Sequence, residues 1–379
     1  MALEAALLNA LNATNLVMLT GAGSSFCVRN EVAGKRKDMA APSLVDLWKV
    51  AKDSIGDKSF KKVLEIIPGG DQLKEKEIEL LLTKCKLYLE LHGEKGAGFQ
   101  EVLDFVSCAE RAILRSVDFI DEESTLTAHQ SLIRKLGRRG ARKHRAKIFT
   151  TNYDLAFEYA ARKQVFSIID GFSTAAPPAY DRTNFDLDFV RRSDGDEFPD
   201  FIENVLHLYK LHGSVDWRRR GSEIYRSRET DGDPVLIYPR NSKFQESFEP
   251  PYLDLMASFQ TALRRPDTAL LVSGFSFSDS HIAHPVLAAL ESNLRFRIIV
   301  CDVSFVPWGK LDDATMEVFH EAQENDFFHK ILALAQLGDH RITLINGRFE
   351  DFIDAIPDLM AQTEREELAG RIATMKVLS

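Results

Sequence analysis

Short, unbroken apolar runs recur along the chain. Each is closed by small or polar residues and separated from the next by helical periodicity. They are Leu16–Thr20, Lys147–Thr151, Val205–Leu211, Val235–Tyr238, Ala269–Ser273, Arg297–Cys301 and Ile342–Ile345. A strand without polar alternation is buried on both faces. That arises in a mostly parallel sheet covered by helices on both sides, so the expected class is α/β.

The first two runs lie unusually far apart. Between Gly34 and Arg145 the spacing is helical: Ser43 precedes Leu44, Leu47 and Trp48, and both Asp71–Leu91 and Phe99–Phe119 place apolar residues at i, i+3 and i+4. A structureless connection of that length is implausible. Residues 35–145 are therefore expected to form a large all-α insert within a single domain spanning 1–379. Phe172–Phe198, with Ala-Pro-Pro and Ser-Asp-Gly-Asp, and Arg218–Pro234, with Arg-Arg-Arg-Gly, read as surface loops or lids.

Composition narrows the function. The chain has 379 residues, 45% hydrophobic and 28% charged, which excludes disorder and low-complexity arrays. Its net charge of −9 argues against generic nucleic-acid binding. One basic run, Arg134–Lys147, holds eight cations in 14 residues. It reads as a solvated face or as a contact for an acidic partner or nucleic acid. The four cysteines, Cys27, Cys85, Cys108 and Cys301, form no C-x-x-C pair, so no zinc module is expected. His281 and His284 have metal-ligand spacing but no evident third ligand, so no metal is expected. No apolar run reaches the ~18 residues of a membrane span. Met1–Asn15 reads as an amphipathic helix, not a signal peptide, so the expectation is a cytoplasmic protein without membrane contact.

Five segments carry candidate chemistry, each just past a run. Gly21, Ala22, Gly23, Ser24 and Ser25 suit a tight turn whose N–H groups hold a pyrophosphate. Phe26 stands where a G-x-G-x-x-G fingerprint needs glycine, and no acidic strand end follows about 20 residues later, so a dehydrogenase is disfavoured. Thr151, Asn152, Tyr153 and Asp154 open a helix; alone, Asn152 reads equally as a turn residue and Asp154 as a cap. His212 and Gly213 close a strand, where an imidazole can take a proton near neutral pH. Gly274, Phe275 and Ser276 offer a small backbone against which a nucleotide can lie, with Ser278 or Asp279 capping the next helix. Asp302 follows the strand Arg297–Cys301 and is suited to ribose or adenine, or is simply a loop aspartate. Ligands of open α/β sheets bind at such carboxyl edges, which makes the sheet Rossmann-like.

In this order the five elements resemble the sirtuin family. Gly21-Ala22-Gly23 is similar to its GAG loop, Thr151-Asn152-Tyr153-Asp154 to its T-Q-N-x-D segment, and His212-Gly213 to its H-G. Gly274-Phe275-Ser276 stands where the family has G-T-S, and Asp302 follows the strand whose end faces the adenosine. Asn346-Gly347 extends the likeness. The family's four-cysteine zinc module is absent, and Ser24-Ser25-Phe26 replaces its G-I-P-D-F-R continuation. The variant resembles zinc-less sirtuin-like proteins of bacterial antiphage systems, which hydrolyse NAD. The resemblance implies NAD as substrate, with Asn152, His212 and Asp154 catalytic. Gly21, Ala22, Gly23, Ser24, Ser25, Thr151, Gly274, Phe275, Ser276 and Asp302 would bind it. It also implies a homo-oligomer, gating of a toxic activity, and a hexameric translocase ATPase as partner. The alternatives are a non-catalytic module that binds NAD or ADP-ribose, a protein deacylase, which the missing zinc module disfavours, and an added nucleic-acid role for Arg134–Lys147.

Overall fold

A computed structural model describes residues 2–32, 35–37, 41–75, 77–139, 144–192, 200–229, 232–236, 250–305 and 326–359. Seven strands form the main sheet: β1 (Asn15–Thr20), β2 (Lys147–Thr150), β3 (Ser167–Ile169), β4 (Val205–Lys210), β5 (Thr268–Ser273), β6 (Arg297–Cys301) and β7 (Ile342–Ile345). Their order is β7-β6-β5-β1-β2-β4-β3. Every pairing is parallel, with Thr20 opposite Ser273 on one side and Thr150 on the other.

Alternate residues of each strand enter different cores, as two-sided burial requires. Val17, Leu19, Phe149, Leu270, Val272, Ile298 and Val300 face helices α8 (Tyr252–Arg264), α9 (Ser280–Ser292) and α10 (Asp326–Gln336). Leu16, Met18, Ile148, Leu206, Leu271 and Ile299 face α1 (Ala2–Leu11), α6 (Thr127–Gly137), α7 (Ala156–Lys163) and α11 (Phe349–Ala355). This is the expected α/β, Rossmann-like arrangement, parallel throughout.

The helices between β1 and β2 divide in two. Helices α2 (Leu44–Ile55), α3 (Asp57–Ile66), α4 (Ile78–His92) and α5 (Phe99–Val117) share a core of their own. Ser43 caps α2 in a reciprocal box with Asp46. Helix α6 instead packs on the sheet with α7 and α11. Of the expected insert, residues 44–117 carry the separate helical core, and α6 packs on the sheet.

Two other expectations are corrected. Val235 and Leu236 belong not to the parallel sheet but to a three-stranded antiparallel one, built from Gly213–Arg220, Glu223–Arg226 and Asp233–Leu236; Tyr238 lies outside the described residues. Most of Arg218–Pro234 is that hairpin rather than a loop. Its arginines disguised it: Arg218 is buried and donates to the carbonyls of Val215, Trp217 and Glu229. Phe172–Phe198 is anchored by buried Phe172 and Phe185, and its residues 193–199 lie outside the described set.

Candidate functional site

Because all seven strands run the same way, every candidate segment leaves the same carboxyl edge. The chain moves outward from β1 through β2 on one side and through β5, β6 and β7 on the other. The switch point therefore lies between β1 and β5, where a doubly wound sheet opens a ligand crevice. Gly21–Ser25 follows β1 and Gly274–Asp279 follows β5. Thr151–Asp154 and His212 follow β2 and β4 on one side, and Asp302 follows β6 on the other.

The two glycine loops at the switch point are packed against each other. Gly23 N–H donates to the Gly274 carbonyl at 3.0 Å. A Cβ on Gly274 would meet Ser24 N at 2.4 Å, and one on Gly23 would meet the Gly274 Cα at 2.7 Å. Gly274 also has φ +71°, a left-handed conformation. Loop–loop contact thus already requires these glycines. The turn Ala22–Ser24 is a single 3₁₀ turn, and the N–H groups of Gly23, Ser24 and Ser25 are spent on Gly274, Gly21 and Ala22. Phe275 is a core side chain, 5.1 Å edge-on from Phe277, whereas Ser276 is exposed at the edge.

A directed polar chain links this turn to the end of β2. The Asp154 carboxylate only accepts, so the Ser25 hydroxyl donates to its Oδ2 at 2.7 Å. The Ser25 oxygen must then accept, and the Asn152 amide Nδ2 donates to it at 2.7 Å and to Ser24 Oγ at 3.2 Å. Ser24 Oγ donates onward to the Gly21 carbonyl at 2.8 Å. Asp154 Oδ1 accepts from the N–H of Ala156, the first residue of α7, at 2.9 Å, while the cap position itself is Leu155. Both Asp154 oxygens are thus occupied. Thr151 N–H donates to the Thr20 carbonyl, and its Oγ1 lies 3.1 Å from where a Gly21 Cβ would stand.

His212 belongs to a second group. Its Nε2–H donates to Asp279 Oδ2 at 3.1 Å, and because a carboxylate cannot donate, this fixes the proton on Nε2. Asp279 Oδ1 accepts from His281 N–H as the cap of α9. Burial pushes the Asp279 carboxyl up, but the hydrogen bond and charge of His212, with the His281 N–H, outweigh it and hold it below its ordinary value. Sequence reasoning saw Asp279 only as a cap and missed this partnership. The Tyr153 ring lies 6.4 Å from the His212 ring.

Asn152, Asp154 and His212 are 8%, 7% and 6% exposed, so the polar groups of the site are enclosed. A cavity of about 340 Å³ lies elsewhere, lined by Arg264, Pro266, Ser292, Asn293, Leu294 and Arg295 at the amino edge of the sheet, away from every candidate residue. Asp302 Oδ1 accepts from Ser304 N–H and Oγ, an Asx turn that occupies one oxygen, and burial raises its carboxyl. Cys301, just before it, donates weakly to the Gly347 carbonyl, which brings Asn346-Gly347 to the same edge.

The basic run is largely spent on the fold. Arg134 and Arg138 pair with Asp358, and Arg145 pairs with Asp188. Lys135 donates to the carbonyls of Ile353 and Ile356, and buried Arg139 to those of Leu11 and Ala13. Arg142 and Lys143 lie outside the described residues. Among the described residues no three His, Cys, Asp or Glu side chains gather as a metal site, and His281 and His284 are both exposed on α9. Among them, too, no helix is long and apolar enough to cross a membrane.

A search of curated proteins gave no match. A protein-family model described as a SIR2-like domain matches residues 146–327. The match takes in Thr151–Asp154, His212, Gly274–Ser276 and Asp302, and leaves out the Gly21 turn that packs against it. That segment supports a sirtuin-like family member and, with it, an NAD-related function.

Proposed function

We propose that the protein is an NAD glycohydrolase that breaks the bond between nicotinamide and ribose to give nicotinamide and ADP-ribose. The single observation that carries this reading is the meeting, on one carboxyl edge, of a Gly–Ser turn, a carboxamide held by that turn, and an imidazole held by a carboxylate. A dinucleotide-binding edge alone needs no oriented imidazole. The dinucleotide lies along this edge, the adenosine toward Asp302 and the nicotinamide ribose toward Asn152 and His212. The Gly21–Ser25 turn borders the pyrophosphate rather than holding it, because the N–H groups of Gly23, Ser24 and Ser25, expected to grip it, are already spent within the protein.

The C1′–N bond breaks with its electron pair leaving on nicotinamide, and positive charge develops at C1′ as in glycoside hydrolysis. Asp279 fixes His212 with its proton on Nε2, which leaves Nδ1 to accept a proton from a ribose hydroxyl or from the attacking water. Asn152 has spent its N–H₂ on two serines, so its carbonyl oxygen orients the hydroxyl or water. Asp154 acts through Ser25, as the group that aims Asn152. Water adds to C1′ and gives up its proton.

An unregulated activity of this kind would be toxic to its host. An enclosed site suits an enzyme with low basal turnover that opens on a trigger. We extend the proposal to an antiphage effector in the cytoplasm, working as a homo-oligomer beside a hexameric translocase ATPase; the resemblance to zinc-less sirtuin-like proteins supports this. A second reading, a module that binds NAD or ADP-ribose without cleaving it, draws support from the internally occupied hydroxyls of Ser24 and Ser25.

The test is nicotinamide release by purified protein, with and without the product of the neighbouring gene. His212→Ala and Asn152→Ala should each reduce turnover about 10²–10⁴-fold while remaining folded. Wild-type turnover in both would end the mechanism. NAD binding without nicotinamide would favour the second reading.

A further inference from the structure

Lys210 ends β4, two residues before His212, and is only 3% exposed. A lone ammonium at that depth is costly unless its three protons find acceptors. Here four acceptors on three separate pieces of chain share them. Nζ donates to the Tyr153 carbonyl at 3.1 Å and to the Asp154 carbonyl at short range, both on the limb carrying Asn152. It donates to Ser214 Oγ at 2.7 Å, on the limb carrying His212. It also pairs with Glu158 Oε1 of α7 at 3.1 Å. Three other bonds run parallel to this clamp: Leu211 N–H donates to the Thr150 carbonyl at 2.8 Å, Val215 N–H to the Tyr153 carbonyl at 3.0 Å, and the Ser214 hydroxyl to the Tyr153 carbonyl at 3.4 Å. Lys210 is the one cation among these ties and the only one that reaches Asp154 and Glu158 as well.

We propose that Lys210 is a positioning residue for the NAD cleavage inferred above, the pin that sets the Asn152 limb against the His212 limb. The inference rests on that reading. Its geometry makes Lys210 specific. An ammonium aims three donors in three directions, whereas a planar guanidinium cannot serve both carbonyls and the hydroxyl from one point. Displacing one limb by about 1 Å can cost about a hundredfold in rate without disturbing substrate affinity.

Lys210→Met alone would strand the Glu158 carboxylate and threaten folding. The test therefore uses Lys210→Met/Glu158→Gln, in which both charges are gone, with Glu158→Gln as control. Expected are a cooperative melt for both proteins, a kcat down at least about tenfold in the double variant with KM for NAD within about threefold, and near wild-type kcat in Glu158→Gln. Amide exchange at Val215 should also accelerate in the double variant alone. Full kcat in a folded double variant, or an equal loss in Glu158→Gln, overturns the proposal. If the wild-type chain releases no nicotinamide under any condition, the hydrolase reading fails. Val215 exchange then decides the clamp by itself, and unchanged protection in the double variant overturns it.

Discussion

Asp279 shows how one side chain can carry a structural and a chemical duty together. One oxygen caps α9 and the other holds His212. Removing its charge should therefore separate the two duties. Asp279→Asn keeps an oxygen for the cap, but its amide can present either end to the imidazole, so the proton on Nε2 is no longer dictated. Nicotinamide release should fall by about 10² or more, with the helix retained. The same substitution should change acid stability in a predictable direction. The native carboxyl is held below its ordinary value. Its contribution is thus complete above the unfolded pKa of about 3.9 and is lost as pH falls through the lower native value. Melting curves of wild type and Asp279→Asn should converge at the acid end, and a gap that widens toward low pH would contradict the assignment.

Among elements, the strand pattern was the most legible feature. Runs such as Arg297–Cys301 and Ile342–Ile345 appear in the structure with the same bounds, because apolar residues facing both cores dominate them, with Arg297 and Thr343 the polar exceptions. Strand β3 and the hairpin after His212 were not legible. Ser167–Ile169 is a three-residue edge strand, too short for periodicity, and Gly213–Arg220 hides its buried Arg218 inside an arginine run. Of the site, the residues that end strands were visible by position. Lys210 and the His212–Asp279 bond depend on side chains reaching between separate strand ends, which spacing does not encode. The two glycine loops give the sharpest element-level prediction. Gly274→Ala needs a left-handed alanine and drives its Cβ to 2.4 Å from Ser24 N. The conformational part alone costs about 1 kcal/mol, and the clash adds more. A fall of several degrees in Tm is expected, together with weaker NAD binding as the Gly21 turn is pushed aside. An unchanged Tm would mean that the loops are not in contact. The helical unit is joined to the same edge, since Tyr153, Leu155 and Val215, from both limbs, enter its core. Leu155→Ala should cost about 2–5 kcal/mol and lower kcat with it, whereas Phe60→Ala, in the same core but away from the limbs, should lower Tm and leave kcat per folded molecule near wild type.

At the level of the whole molecule, two histidines set the response to acid. His129, on α6, is wholly buried between Phe157 and Phe349, each 5.0 Å from its ring. His207, on β4, is buried beneath Phe185 beside Tyr209. Burial pushes both imidazoles down to about 4, against an ordinary value of 6.5. At His129 nearby Asp154 opposes the shift only in part, while at His207 the Lys147 charge adds to it. Both are therefore neutral in the folded chain at neutral pH, and the unfolded chain takes up their protons first. Stability is complete above pH 6.5 and declines from there toward pH 4, by about 1.4 kcal/mol per pH unit per site once the unfolded imidazole is charged. The protein should lose Tm well above the range where carboxylates protonate, in proportion to two protons gained on unfolding. His129→Leu, apolar and of similar bulk among the phenylalanines, removes one of the two. Between pH 6 and 4.5 its Tm should fall about half as steeply as that of the wild type. An equal slope would place the acid sensitivity elsewhere, and a steeper one would mean that the native state prefers His129 charged.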